Sequence, residues 1–362
     1  MNKQILSLGL TTAIAAMALV GANPAVVGAQ AATPAATASA SGFKVGVVTD
    51  VGRVDDRSFN QSSWEGARDS AKGLGIPAEY IETTDPADYA NNINALIDKG
   101  DNVIVTVGFN LADATAKAAA ANPKVWFIGV DEFQGSVISN VVGIVFNEDQ
   151  SGFLAGVLAA RMSKSGKVAG VYGASVPPVV RFKEGFENGA KYANPKVSVQ
   201  STYYPGDISK AFNDPTWGAT TAGQAFDQGA DVVFGAGGNT GNGALLEAAR
   251  RTTKDKPLYC IGVDTDQWLT LKDAQPCLLT SAAKLIPPAM DMVIKMAVAG
   301  TIKGGNFVGT VGLTDFHDFS KVIPQTVQDE LTKLAADLAS GKLTSKGTPA
   351  TPAATMAATA AK

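Results

Sequence analysis

Histidine is almost missing from this sequence: His317 stands alone, and the two cysteines, Cys260 and Cys277, are not near it. That excludes the clustered Cys and His ligands of a transition-metal centre, and no cofactor is expected. Charge is sparse, at 17% of residues with a net charge of −3, and no basic stretch occurs; a nucleic-acid partner is therefore excluded. Beyond residue 42 no uncharged apolar run reaches the roughly 20 residues needed to span a bilayer.

The exception lies at the start. Lys3 is the single charge before residue 42, Ile5 to Ala22 are apolar, and Ala29-Gln30-Ala31 offers a small-x-small cleavage pattern. Residues 1–31 read as a secretory signal peptide and 32–42 as a linker; an uncleaved anchor is the alternative. The mature chain is expected outside the cytoplasm and not integral to a membrane. In an oxidising compartment Cys260 and Cys277 either pair or stay as two buried thiols. A bond closing that loop would stabilise the fold by about 3 kcal/mol.

The 362 residues, 46% of them hydrophobic, suffice for about two domains with cores of their own. After residue 42, apolar strands alternate with amphipathic helices: strand 43–49, helix 58–72, helix 86–98, strand 102–107, helix 111–121 and strand 125–130. This rhythm predicts a mostly parallel sheet covered on both faces. It then repeats from strand 141–146 to strand 258–263. Ile-Gly-Val-Asp closes at Asp131 in the first copy and at Asp264 in the second. Two similar α/β lobes follow, with boundaries at 43–147 plus 277–312 and 148–276 plus 313–343; a strand near 280 is assigned to the first lobe. Residues 344–362, rich in Thr, Ala and Pro, read as a disordered tail.

The stretch VVTDVGRVDDRSFNQ, Val47 to Gln61, joins a strand end to a helix N-terminus. Ser58 with Gln61 fits a capping box, and Asp50, Asp55, Asp56, Phe59 and Asn60 crowd around the junction. Ligands of open α/β sheets bind beyond the carboxyl ends of the strands, which makes this a candidate site. Alternatively the acids only favour the helix end and Phe59 faces the core. Asp131 and Asp264 also end strands. An ionised carboxylate can accept both hydrogens of a vicinal diol, as in a ribose; the structural alternative is a helix cap. The run Gly235–Gly243 fits neither a dinucleotide nor a P-loop spacing, so it is either a tight turn or a backbone that lets a ligand come close. Lys284 could bond a ligand hydroxyl, neutralise a carboxylate, or lie in solvent. Phe59 and Phe234 are candidate aromatic walls, with Phe234 otherwise core, and Phe182 and Trp217 are further apolar candidates. Carboxylates spread over both halves, without a nucleophile elbow or a nearby histidine, argue against an enzyme; a cleft hydrolase is the alternative of a different class.

The motifs D-D-R-S-F-N-Q, V-G-x-x-x-A-D-A, the two G-V-D strand ends, F-K-E-G-F, the glycine loop and T-S-x-x-K occur in order through residues 43–340. In this the chain resembles the basic membrane protein family of extracytoplasmic solute-binding proteins, whose best-understood branch binds purine nucleosides for an ABC importer. The resemblance implies a type I periplasmic binding protein fold, with two Rossmann-like lobes joined by three crossovers. It implies ligand contacts at Asp50, Phe59, Asn60, Asp131, Gly238, Asp264 and Lys284, with Asp50 at the edge of a base; Phe234, on residue type alone, is the eighth residue expected to meet the ligand. The implied partners are a nucleoside and an ABC permease with its ATPase, met by a monomer in the periplasm or at the cell surface. Relatives commonly carry a lipid on a cysteine at the cleavage site, whereas the first cysteine here is Cys260, so no such anchor is expected. A simple sugar or other polar metabolite, for import or for sensing by a membrane receptor, is the alternative ligand.

Overall fold

The structure is a computed structural model that describes residue 40 and residues 42–349. The expected signal peptide and most of the expected tail lie outside the described residues. The tail's first turn does not: Leu343 bridges Pro349, and Ser345 Oγ donates to Asp149 Oδ2. The expectation of disorder is corrected there.

The first half of the chain runs β1 (Val45–Val51), α1 (Phe59–Leu74), β2 (Ala78–Thr83), α2 (Tyr89–Asp98), β3 (Val103–Val107), α3 (Ala112–Ala121), β4 (Trp126–Val130) and β5 (Val141–Val145). The second runs α4 (Glu148–Met162), β6 (Lys167–Tyr172), α5 (Pro177–Ala193), β7 (Ser198–Tyr203), α6 (Pro215–Asp227), β8 (Val232–Ala236), α7 (Gly238–Arg251), β9 (Tyr259–Asp264), the short α8 (Gln267–Thr270) and β10 (Leu278–Lys284). α9 (Ile286–Val298), β11 (Gly305–Val308), β12 (Val311–Leu313) and α10 (Gln325–Ala339) follow.

Two 6-stranded sheets result, ordered β11-β5-β4-β3-β1-β2 and β12-β10-β9-β8-β6-β7. The orders correspond strand for strand, as the repeated rhythm requires. Every pairing is parallel except β10 with β12. Strands such as Val103–Val107 are buried along their whole length, because helices cover both faces of each sheet. In the first lobe Val47, Val105 and Ile128 pack under α1 and α9, and Ile104 and Phe127 under α2 and α3. In the second, Phe234 and Ile261 meet α4 and α5, while Val233 and Cys260 meet α6 and α7.

The strand near 280 is the main correction. β10 pairs with β9 in the second sheet, with Ser281 opposite Gly262, and the bonded pair Cys260 and Cys277, 5.2 Å apart at Cα, joins the same two strands. The chain changes lobe at Leu285, so that α9 packs on α1 where Gly66 leaves room for Pro287. It passes between lobes three times: after β5, after β10 and between β11 and β12.

Candidate functional site

The strand order reverses direction around β1 in one sheet and β6 in the other, the arrangement that leaves a crevice at the carboxyl ends of the strands. That crevice is lined from the first lobe by Asp50, Phe59, Asn60, Gly108 and Asp131, and from the second by Phe182, Phe212, Gly238, Asp264 and Lys284. The space not filled by protein atoms is about 600 Å³, part of it open to solvent. Of the eight residues expected to meet a ligand, seven converge here.

Phe234 does not. It is fully buried behind the wall, stacked on Phe186 at 5.1 Å and edge-on to Phe182 at 6.0 Å. A side chain in the middle of a parallel strand points into a helix-covered face rather than off the strand end. Phe182, one turn into α5, takes the wall position, with Phe212 beside it. Trp217 packs instead against Tyr204 at 5.1 Å.

The first turn of α1 is held differently from a capping box. Asp56 accepts from the backbone N–H of Ser58, Asn60 and Gln61 at 2.9–3.0 Å, whereas Ser58 makes no side-chain cap. Its Oγ donates across the cleft to Asp264 Oδ2 at 2.7 Å. Burial raises the Asp56 carboxyl to about 6 against the lowering effect of these three hydrogen bonds. Asp50 is raised further, to about 8, by burial, although Asn60 Nδ2 donates to it; Asp56 and Asp131 add to the rise.

Asp131 and Asp264 share one backbone conformation, with φ of 64° at each. A non-glycine residue in this left-handed region is uncommon and costs on the order of 1 kcal/mol, so the same departure at matching strand ends of both lobes points to use. Both side chains are buried. Lys284 Nζ donates to Asp131 Oδ2 at 2.5 Å and lies 3.2 Å from Glu148 Oε1; its ammonium also sits over the Phe59 ring at 4.9 Å and the Phe182 ring at 5.4 Å. Burial alone would lower the Lys284 ammonium, but Asp131, Glu148 and Asp264 outweigh it and hold it above its usual value. Burial lifts Asp131 to about 6 despite Lys284, and lifts Asp264 as well.

Sequence reasoning did not single out Glu148 and Arg181. Glu148 looks like an ordinary acidic residue in a helix first turn. Its burial and its ion pair with Arg181 Nε, 2.5 Å away, depend on how α4 and α5 cross. Second-lobe contacts to the loop before α1 were also missed: Asn242 Nδ2 donates to the Asp56 carbonyl at 2.8 Å, and Gln267 Nε2 and Thr270 Oγ1 donate to that of Arg57 at 3.1 and 2.9 Å.

The sequence matches a family model for PnrA-like ABC transporter substrate-binding proteins, named Bmp, over residues 43–333. The chain belongs to the Bmp family. It is 34% identical over 317 residues to a CD4+ T-cell-stimulating antigen of Listeria monocytogenes, covering 82% of this chain and 87% of that protein. It is 32% identical over 324 residues to the ABC transporter nucleoside-binding protein BmpA of Lactococcus lactis, covering 83% and 88%. An ABC transporter solute-binding protein from Aeropyrum pernix superposes with a TM-score of 0.73 at 26% identity, over 83% of this chain and 92% of that one. As a Bmp protein the chain is a substrate-binding component with the type I periplasmic binding fold. Such components work outside the cytoplasm, taking a small molecule to a membrane transporter, and are not enzymes. No helix among the described residues is long and apolar enough to cross a membrane.

Proposed function

We propose that this Bmp protein binds a nucleoside, with a purine preferred, in the crevice between its lobes, as a monomer that delivers it to an ABC permease and does no chemistry on it. The observation that carries this reading is a pair of buried acceptors, Asp131 Oδ1 and Asn60 Oδ1, that line the crevice with no hydrogen-bond partner within the protein. Leaving such atoms unmet costs about 1–3 kcal/mol each, so a ligand that brings donors to them gains affinity. A ribose supplies hydroxyls for Asp131 and Asp264, with Lys284 beside them. A planar base would stack on Phe59 and the second-lobe aromatics, contributing about 1–3 kcal/mol, and Asn60 with Asp50 can meet its edge. A carboxyl raised to about 8 is largely protonated at neutral pH and can donate to a base acceptor. The Lactococcus relative's printed name supports the same ligand class.

Calorimetric titration of protein freed of ligand by unfolding and refolding tests this. Guanosine, inosine or adenosine should bind while free bases and simple sugars give no heat. Heat from sugars alone would replace the nucleoside by a polyol, and consumption of a bound nucleoside would make the crevice a hydrolase.

A further inference from the structure

Glu148 is fully buried at the start of α4, directly after the first passage between lobes. Its Oε1 faces Lys284 and its Oε2 faces Arg181, whose side chain is 36% exposed. Together with Asp131 these make an alternating row of charges running from the crevice to the surface. Asp131 comes from the first lobe and the other three from the second. Neither Glu148 nor Arg181 lines the crevice. We propose that Glu148 and Arg181 are positioning residues that divide the Lys284 ammonium between Asp131 and Glu148 and so set how much negative charge Asp131 offers to a ligand hydroxyl.

Lys284 is 3% exposed and covered by aromatic rings, so carboxylates rather than water must satisfy it. Asp131 is faced by Lys284, Glu148 and Asp264 directly, and by Asp50, Asp56, Glu132 and Arg181 around them. Acids outnumber the two cations there, so removing Glu148 or Arg181 redistributes what remains. Without Glu148, Lys284 turns wholly to Asp131, which then ionises more readily. Without Arg181, Glu148 draws Lys284 away and Asp131 ionises less readily. The two changes therefore act in opposite directions, which a loss of packing would not do. That Asp131 meets a ligand hydroxyl is taken from the nucleoside reading; the charge division is not.

The test follows the Asp131 carboxyl by carbon NMR in the ligand-free protein, with Asp131→Asn assigning the signal. The wild-type midpoint should lie at about 6. Glu148→Gln should weaken proton affinity about tenfold and move it to lower pH, and Arg181→Met should move it higher. Arg181 is partly exposed, so that variant keeps the test open if Glu148→Gln fails to fold. Midpoints that coincide, or that move the same way in both, overturn the proposal. Titrations of guanosine, inosine and adenosine from pH 5 to 8 separate the two readings: ordered midpoints with none of the three binding sink the nucleoside and keep the charge division, while binding of any of them with unmoved midpoints does the reverse.

Discussion

Asp50 and Gly108 show how single residues shape the crevice. Gly108 has φ of 116°, and an added Cβ would meet the Asp50 carboxyl at 2.7 Å. Gly108→Ala should thus combine backbone strain of about 1–3 kcal/mol with displacement of Asp50, seen as a lower urea midpoint together with weaker nucleoside binding. Asp50 itself carries a pH signature. Unfolded it ionises near 3.8 and folded near 8, so between those values the folded state holds a proton that the unfolded chain has released. Stability falls as pH rises through that window. Ligand-free Asp50→Asn should therefore melt above wild type at pH 8, with the gap closing toward pH 4; a gap widening toward acid would contradict the assignment. At the opposite carboxylate, Asp264→Ala should cost roughly 1–3 kcal/mol of nucleoside affinity through lost hydrogen bonds, and unchanged calorimetric affinity would free Asp264 of that role.

Among the elements, the crossing of α4 and α5 matters most for the site because it buries Glu148 and aims Phe182. Gly152 and Gly156 of α4 face the backbone of Phe182 and Phe186, and Gly185 and Gly189 of α5 face that of Asp149 and Phe153. In a free helix, alanine would be better than glycine by about 1 kcal/mol. Here the obstacle is a neighbouring carbonyl that cannot rotate away, and overpacking costs about 1–3 kcal/mol, so the clash outweighs the propensity. Gly189→Ala should lower the denaturation midpoint despite its better helix propensity, and a rise would show that the helices can separate without loss.

For the whole molecule, the lobes are held together by direct hydrogen bonds as well as by the connecting chain. Asn242, Gln267 and Thr270 grip the carbonyls of Asp56 and Arg57, and Arg57 itself sits at φ of 60°. Separating the lobes would break these contacts, and a ligand that touches both lobes adds its differential affinity for the state that keeps them. Losing one neutral hydrogen bond costs about 1 kcal/mol, so Thr270→Val, which removes the Oγ1 donor to the Arg57 carbonyl, should enlarge the ligand-free radius of gyration in small-angle scattering and weaken nucleoside binding by roughly fivefold. An unchanged radius and affinity would show that closure does not depend on this grip.

Local rules were enough for the βα rhythm, its duplication and the strand-end placement of Asp50, Asp131 and Asp264, because burial on both faces, turn residues and strand ends are written in neighbouring positions. They were not enough where distant segments compete for one group. Ser58 had the spacing of a cap, yet Asp264, brought close by lobe closure, takes its hydroxyl. Phe234 had the right residue type, but the direction of its side chain follows from the face of the sheet it occupies. The strand Leu278–Lys284 was assigned to the first lobe, but its pairing with β9 and the Cys260–Cys277 bond hold it in the second. The sequence determined the elements and which carboxylates end strands; the tertiary structure alone decided their partners, since hydrogen bonds and ion pairs between residues over a hundred positions apart leave no local pattern.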